Sequence, residues 1–181
     1  MPDVVSKGRK PDVFACSFCH RADGPGGPEN ANLMGLPHAY IVLQMADLKS
    51  GRRKSAVQEK LPTQLLERVA KNVTDEEVQA AAAYYSSIQP RALVKVVESD
   101  SAPKTYVNAA WFLAPLPSGE KEPLGERIIE VAEDVERFIS RVRALLFSLT
   151  CRPGSIKRGE VLATTGGNGK PSNATRATAL I

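Results

Sequence analysis

The feature that most constrains this chain is a five-residue motif near its amino terminus, Cys16-Ser17-Phe18-Cys19-His20. Two thiols three positions apart, followed directly by an imidazole, have the spacing of a c-type haem attachment site. Each thiol can add across one vinyl group of the haem, while His20 turns its ring toward the iron. The motif therefore predicts a small domain built around a covalently held haem, with His20 as the proximal ligand.

Two other kinds of site use cysteine pairs, structural zinc sites and redox dithiols, and chance occurrence is a third alternative to haem attachment. A structural zinc site needs four ligands, usually from two separated pairs, and only His38 and Cys151 remain outside the motif. A thioredoxin-like dithiol needs a neighbouring βαβ pattern, which is missing around residue 16. The haem interpretation is therefore preferred to zinc, to a redox dithiol and to chance occurrence.

Composition and charge exclude several classes of function. The chain has 181 residues, of which 43% are hydrophobic, and its net charge is +4. The positive charge lies at the end, because residues 137–181 hold eight Lys or Arg and one acid, whereas residues 1–136 hold 16 Lys+Arg and 19 Asp+Glu. A basic tail that lacks a platform of combined aromatic and basic residues does not favour nucleic-acid binding. No run of about 18 apolar residues exists, so no membrane span is expected.

Hydrophobic spacing divides the chain near residue 90. Three helices are predicted before that point, at about 37–50, 62–72 and 74–88. The third has the clearest start, because Thr74 and Glu77 form a capping box. Its predicted inward-facing side chains are Val78, Ala81, Ala82 and Tyr85. Residues 17–37 are rich in Gly, Pro and Asn and predict an irregular loop.

After residue 90 the pattern changes to short β-type runs, namely LVKVVES, TYVNAAWFLA and ERIIEVA. Residues 135–149 are periodic enough for a helix, and the last fifteen or so residues are expected to be disordered. The predicted fold is thus mainly α. It comprises a three- to four-helix haem-binding domain at 1–90, a β-rich linker segment at 91–134, and an irregular or aberrant tail at 135–181.

Two stretches carry a resemblance to a known family: ACSFCHRADGPGGPENANLMGLPHAYIVLQMADLKSGRRKS and VAKNVTDEEVQAAAAYYSSI. Together they resemble a class I cytochrome c domain of the kind found in two-domain bacterial dihaem cytochromes. The match covers about residues 8–90. It includes the haem motif, a Gly-containing loop, a GLP-x-x-Y helix start, a QM-x-x-hydrophobic-x-x-G-x-R helix and a final helix rich in Ala and Tyr, in the order that the family shows.

The resemblance implies roles for particular residues. Cys16 and Cys19 would hold haem c, and His20 would ligate its iron. Five further residues would line or close the pocket: Leu36, Pro37, Tyr40, Tyr84 and Tyr85. For Leu36 and Pro37 an ordinary core or capping role is preferred.

The sixth iron ligand is where the sequence first departs from the family. Such domains usually place a methionine before the final helix, but residues 51–73 contain none, and Leu65 and Leu66 stand about where it is expected. Met45, Met34 and His38 remain as candidates. An open or weakly held sixth position is preferred to all three.

Both ends of the chain also depart from the family. EKEPLGERIIEVAEDVER and PGSIKRGEVLATTGGNGK resemble the family's linker, after which a second haem motif is expected, yet the chain continues PSNATRATALI. The hypothesis is that the coding sequence is truncated and that residues 138–152 and 171–181 are out of register, which leaves Cys151 without a role. Residues 1–15 lack the apolar stretch of a signal peptide, so a missing amino-terminal region is expected.

The expected function is single-electron transfer through one haem c, in the periplasm, to a larger redox protein or respiratory complex. No catalytic constellation or small-molecule substrate is indicated, and the GG-x-G at residues 166–169 lacks the remainder of a phosphate loop. Two alternatives stay open. One is a haem-based binder or sensor of small ligands with an open sixth site, and the other is a non-functional apo fragment.

Overall fold

Five helices and a two-stranded hairpin form the first part of the chain. A computed structural model describes residues 1–57, 59–108, 112–140 and 146–169. The helices are α1 (Asp3–Ser6), α2 (Cys16–His20), α3 (His38–Lys49), α4 (Leu61–Asn72) and α5 (Asp75–Ser86). The antiparallel hairpin pairs β1 (Gly8–Arg9) with β2 (Val13–Phe14). The three longer helices, α3 to α5, confirm the three predicted from hydrophobic spacing.

Helix α5 begins where the sequence predicts. The Thr74 hydroxyl accepts from the Glu77 backbone N–H at 3.2 Å, and the Glu77 carboxylate accepts from the Thr74 N–H at 2.8 Å. This reciprocal pair satisfies two backbone donors that the first turn of a helix otherwise leaves unpaired. Ala81, Ala82 and Tyr85 are buried. The predicted inward face is therefore confirmed, with Val78 at its half-buried edge.

Helix α3 differs by one position from the predicted start. Pro37 has extended backbone angles, φ −54° and ψ 133°, and is the residue before the helix rather than its first member. At the other end, Gly51 adopts φ +74°, a left-handed conformation that terminates the helix without the steric cost of a side chain. The predicted span of about 37–50 is otherwise confirmed.

One apolar cluster holds the helical part together. Its buried members come from α1, β2, α3 and α5 and from the turn before α5: Val4, Val5, Val13, Ile41, Val73, Ala81, Ala82 and Tyr85. These side chains are mostly small or β-branched. The core therefore brings the helices close together, and larger apolar side chains such as Leu33, Leu36 and Met45 cover its edges.

Short strands and two helices follow residue 90. They are β3 (Val94–Glu98), β4 (Ser101–Pro103), β5 (Thr105–Val107), β6 (Leu113–Pro115), β7 (Lys121–Pro123), β8 (Ile129–Ala132), α6 (Val135–Ile139), β9 (Phe147–Cys151) and α7 (Ser155–Gly169). Strand β9 lies in the middle of a three-stranded sheet, parallel to β3 and antiparallel to β8. Strands β4 and β7 form one antiparallel pair, and β5 and β6 form another.

The predicted β runs are confirmed, with one change. The pattern predicts TYVNAAWFLA as a single run, but it contributes two strands, β5 and β6, which pair with each other. Residues 109–111 of that run lie outside the described residues. A chain that turns back on itself within ten residues pairs its own backbone groups, which removes the need for a partner strand from elsewhere.

The predicted helix at 135–149 is wrong in its second half. Helix α6 ends at Ile139, residues 141–145 lie outside the described residues, and Phe147–Cys151 is a strand. The physical reason is tertiary pairing, since β9 hydrogen-bonds to strands on both sides and buries Phe147 and Cys151. Local periodicity carries no information about these distant partners.

The fold class holds only in part. The segment 135–181, predicted to be an irregular or aberrant tail apart from a helix at 135–149, contains α6, β9 and α7. The expected disorder of the last fifteen residues falls mostly on residues 170–181, which lie outside the described residues. Because nine strands accompany the helices in the described part of the chain, "mainly α" fits only loosely. The hypothesis that residues 138–152 and 171–181 are out of register stays a prediction about the encoding DNA.

A second apolar cluster joins the two parts. Met34, from the loop before α3, packs with Leu93, Ala132 and Phe147 of the β-rich part, and Phe138 covers this group. A third cluster is confined to the β-rich part: Ala102, Leu124, Ile129 and Val131. Among the described helices, none is both long and apolar enough to cross a membrane.

Candidate haem site

A cavity of about 330 Å³ opens beside the core of the helical part. Two of the longer helices, α3 and α4, give it an apolar wall: Ile41, Met45, Leu48, Leu65, Leu66 and Val69. Cys16, Cys19 and His20 lie together on another part of the same wall. The structure thus brings all three motif residues to one apolar cavity.

The short helix α2 explains why these three side chains share a wall. Residues three and four positions apart lie on the same face of a helix, so Cys16, Cys19 and His20 point to one side. The helix ends at His20, and the backbone N–H of the next residue, Arg21, donates to the Ser17 carbonyl at 3.0 Å. The predicted irregular loop at 17–37 is therefore wrong for Ser17–His20, which are helical, and fits from Arg21 onward.

His20 is held in one tautomer by a backbone carbonyl. Its Nδ1 lies 2.9 Å from the Ala31 oxygen, and because a carbonyl oxygen can only accept, Nδ1 carries the proton. Burial lowers the pKa of His20, an effect that the Ala31 hydrogen bond opposes only in part. The imidazole is therefore neutral near pH 7, with Nε2 unprotonated. This is the arrangement that a histidine ligand to a metal requires.

The two motif cysteines are not joined in a disulfide. Burial raises the pKa of Cys16 to about 11, so this group is protonated at neutral pH. The third cysteine, Cys151, also forms no disulfide, but it is buried in β9 and does not line the cavity. Among the described residues, no group of three or more His, Cys, Asp and Glu side chains could hold a metal ion, which gives the zinc alternative no ligand set there.

No family model matches the chain. It is 29% identical over 120 residues to the thiosulfate dehydrogenase electron acceptor of Thiomonas intermedia, covering 65% of this chain and 43% of that protein. It is 32% identical over 76 residues to cytochrome c-552 of Acidithiobacillus ferridurans, of which it covers 30%. It is also 32% identical over 76 residues to cytochrome c-554(548) of Halomonas halodenitrificans, covering 41% of this chain and 86% of that cytochrome.

The chain belongs to the cytochrome c family. The resemblance to a class I domain of the dihaem type is confirmed as a match of one domain. Covalently bound haem c is the cofactor of the cytochrome c relatives. The chain spans less than half the length of the first two relatives. A solved cytochrome c4 from Acidithiobacillus ferrooxidans shares 28% identity with a TM-score of 0.40, over 47% of this chain and 46% of that one.

Two tyrosines of this cytochrome c tie α5 to the segment after the motif. The Tyr85 hydroxyl donates to the Arg21 carbonyl at 3.1 Å, and the Tyr84 hydroxyl donates to the Ala22 carbonyl at 2.7 Å. Tyr85 is 1% exposed, lines the cavity and meets the His20 ring edge-on, with 6.5 Å between ring centres. Burial raises the pKa of Tyr85 well above its usual range, so its hydroxyl stays a hydrogen-bond donor.

The other residues that the resemblance placed at the pocket lie elsewhere. Tyr84 is beside the cavity without lining it, Tyr40 is exposed, and Leu36 packs on the helical core. Pro37 precedes α3. The core and capping roles preferred for Leu36 and Pro37 are therefore confirmed.

The three candidates for the sixth iron ligand differ in whether they line the cavity. Met45 lines the cavity from α3, whereas Met34 is 4% exposed and belongs to the cluster with Phe147. His38 is the first residue of α3 and is not part of the cavity wall. Leu65 and Leu66, which stand where a methionine was expected, both line the cavity.

Sequence reasoning missed Arg21. This residue follows the motif directly and has φ 64° and ψ 157°, a region that is essentially restricted to glycine. Such a conformation costs about 1–3 kcal/mol for a residue with a side chain. Its side chain is buried, with 6% exposed. No pattern in the sequence marks this position, because the strain arises from contacts with distant residues.

Proposed function

We propose that this chain transfers single electrons through one haem c, attached to Cys16 and Cys19 and ligated at its iron by His20. The carrying observation is the His20 ring, whose Nδ1 is fixed by the Ala31 carbonyl at 2.9 Å, on the same cavity wall as two thiols that form no disulfide. These residues fit the group chemically, since they supply two sulfurs for attachment, one neutral nitrogen for the iron and an apolar enclosure.

Cys16 and Cys19 would hold the haem through its two vinyl groups. Each S–H would add across one double bond, with sulfur on one carbon and hydrogen on the other, so the attachment would need no oxidant. Burial raises the pKa of Cys16 to about 11, so the apolar wall keeps this thiol protonated at neutral pH until the haem is attached.

When bound, the haem supplies an iron that cycles between its ferric and ferrous states. The protein contributes position and environment. Apolar side chains of α3 and α4 exclude water from the cavity, which reduces the solvent rearrangement that accompanies each electron. Tyr85 and Ala31 hold the motif in place through hydrogen bonds to Arg21 and His20.

The proposed partner is a larger redox protein. One relative is named as the electron acceptor of a thiosulfate dehydrogenase, which favours electron transfer over a catalytic role for this chain as well. The cytochrome relatives do not favour the ligand-binding and non-functional alternatives. Since haem attachment of this class occurs outside the cytoplasm, the holoprotein is proposed to work in the periplasm.

The sixth position of the iron is proposed to be open or weakly held. Leu65 and Leu66 occupy the wall where a methionine is expected, and an alkyl group cannot bind iron. Met45 lines the cavity but also packs against the helical core, which is the role assigned to it here.

The proposed function is tested by expressing the chain together with a c-type maturation pathway. We expect a haem that stays on the polypeptide in denaturing electrophoresis and gives a reversible oxidised and reduced spectrum. Cys16→Ala and Cys19→Ala should each weaken or lose the covalent haem, whereas the matched control Cys151→Ala should keep it, because Cys151 lies away from the cavity. A colourless wild-type protein, or equal loss of haem in the Cys151 variant, would contradict the proposal.

A further inference from the structure

Arg21 is the only non-glycine residue with a positive φ among residues for which the structure gives a conformation. Three backbone hydrogen bonds hold it there. Its N–H donates to the Ser17 carbonyl at 3.0 Å, and its carbonyl accepts from the Tyr85 hydroxyl at 3.1 Å and from the Gly24 N–H at 3.3 Å. A strained conformation that is fixed from several sides commonly marks a functional position.

The guanidinium of Arg21 is buried against aromatic side chains. Nη1 donates to the Phe138 carbonyl at 3.2 Å, and the guanidinium carbon lies 5.5 Å from the centre of the Phe138 ring. Phe138 in turn meets Phe112 and Phe147 edge-on, with ring centres 4.5 and 5.9 Å apart. The β-rich part therefore places one aromatic ring, itself packed against two others, on a positive charge of the helical part.

This charge lies next to the proposed haem site. A second cavity, of about 170 Å³, is lined by Arg21, Phe112 and Phe138 together with Cys19 and Leu65. Cys19 and Leu65 also line the larger cavity, so the two cavities share a wall. Arg21 therefore stands on the Cys19 side of the site, one residue after His20.

We propose that Arg21 is a tuning residue that raises the reduction potential of the haem iron. This inference rests on the proposed function. The reduced iron carries one positive charge fewer than the oxidised iron, so a nearby guanidinium destabilises the oxidised state more than the reduced state. Because the guanidinium is buried against Phe138, water screens it less than an exposed charge, and its effect on the potential should exceed that of an exposed arginine.

The test is a spectroelectrochemical titration of the holoprotein and four variants. Arg21→Gln removes the charge and keeps the backbone strain, whereas Arg21→Gly removes the charge and relieves the strain. Both should lower the midpoint potential by a similar amount, and Arg21→Lys should restore most of it. The matched control is Arg68→Gln, which removes an equal charge from a half-exposed residue paired with Asp12 at 2.7 Å.

The control Arg68→Gln should shift the midpoint potential less than the Arg21 variants do. At high salt the shift from Arg68→Gln should decrease, whereas the shift from Arg21→Gln should persist. Equal potentials in the wild type and Arg21→Gly would overturn the inference. So would shifts in Arg21→Gln that match those of Arg68→Gln. If no haem attaches to the wild type, the proposed function fails, which is distinct from attached haem with an unchanged potential.

Discussion

At the scale of single residues, the cavity wall contrasts two kinds of position. Cys16, Cys19 and His20 have reactive or coordinating groups, while Leu65 and Leu66 present only alkyl groups. The motif residues were identified from spacing alone, because attachment chemistry fixes their order in the sequence. The apolar residues of the cavity wall cannot be identified from spacing, because only packing decides which apolar side chains reach a cavity.

The open sixth position of the iron is tested by introducing a methionine that can bind there. Leu65→Met and Leu66→Met each place a thioether in the cavity wall, and at least one should add a methionine-to-iron charge-transfer band to the oxidised spectrum. The measurement is the visible spectrum of the purified holoprotein. The control is Leu61→Met, on the same helix but outside the cavity wall, which should leave the spectrum unchanged.

Two results would count against the open position. One is a wild-type spectrum that already contains the methionine band, which would assign the ligand to Met45, the methionine in the cavity wall. The other is the absence of the band from both new methionine variants.

At the scale of elements, helices are predicted better than strands. The start of helix α5 is determined locally, because Thr74 and Glu77, which form its capping box, lie only three positions apart in the sequence. Strand β9 does not, because it exists through pairing with Val94–Glu98 and Ile129–Ala132. A periodic segment such as 135–149 was therefore assigned to a helix that ends early in the structure.

The capping box also predicts that the free energy of unfolding decreases at acidic pH. The Arg9 guanidinium donates to Glu77 at 3.1 and 3.2 Å and, as the leading cause, lowers the pKa of that carboxyl. Because the unfolded chain binds the proton more readily, this stabilisation is present above the ordinary Glu pKa of about 4.3 and is lost as the pH falls through the folded value. Glu77→Gln should remove that part of the acid dependence.

The measurement is the free energy of unfolding between pH 3 and pH 6. Glu76→Gln serves as the control, because Glu76 is an exposed neighbour in the same helical turn. The prediction is wrong if the Glu77 and Glu76 variants follow the same pH profile.

At the scale of the whole molecule, the two parts share a core. Met34 of the helical part packs with Leu93, Ala132 and Phe147 of the β-rich part. The division near residue 90 was visible in the sequence as a change of pattern. The packing across that division was not, because Met34 lies in a loop without periodicity.

Because the helical and β-rich parts share a core, we expect them to unfold in one cooperative transition. Phe147→Ala removes a buried ring and should lower the free energy of unfolding by about 3–5 kcal/mol. Haem absorbance and far-ultraviolet circular dichroism should shift to the same lower denaturant midpoint, because the parts unfold together. Val94→Ala, at an exposed position on the neighbouring strand β3, should shift both signals little.

Separate midpoints for the haem signal and the backbone signal would show independent units instead. The same conclusion would follow if Phe147→Ala shifted the backbone signal alone.

The central position of β9 sets an order of assembly. The buried residues of the helical core and the residues that line the larger cavity all lie between Val4 and Tyr85, whereas the three-stranded sheet cannot form before Cys151 has been synthesised. The residues that would hold the haem are therefore synthesised before Phe138 and Phe147. The contact between Phe138 and Arg21 can form only after those cavity residues have left the ribosome.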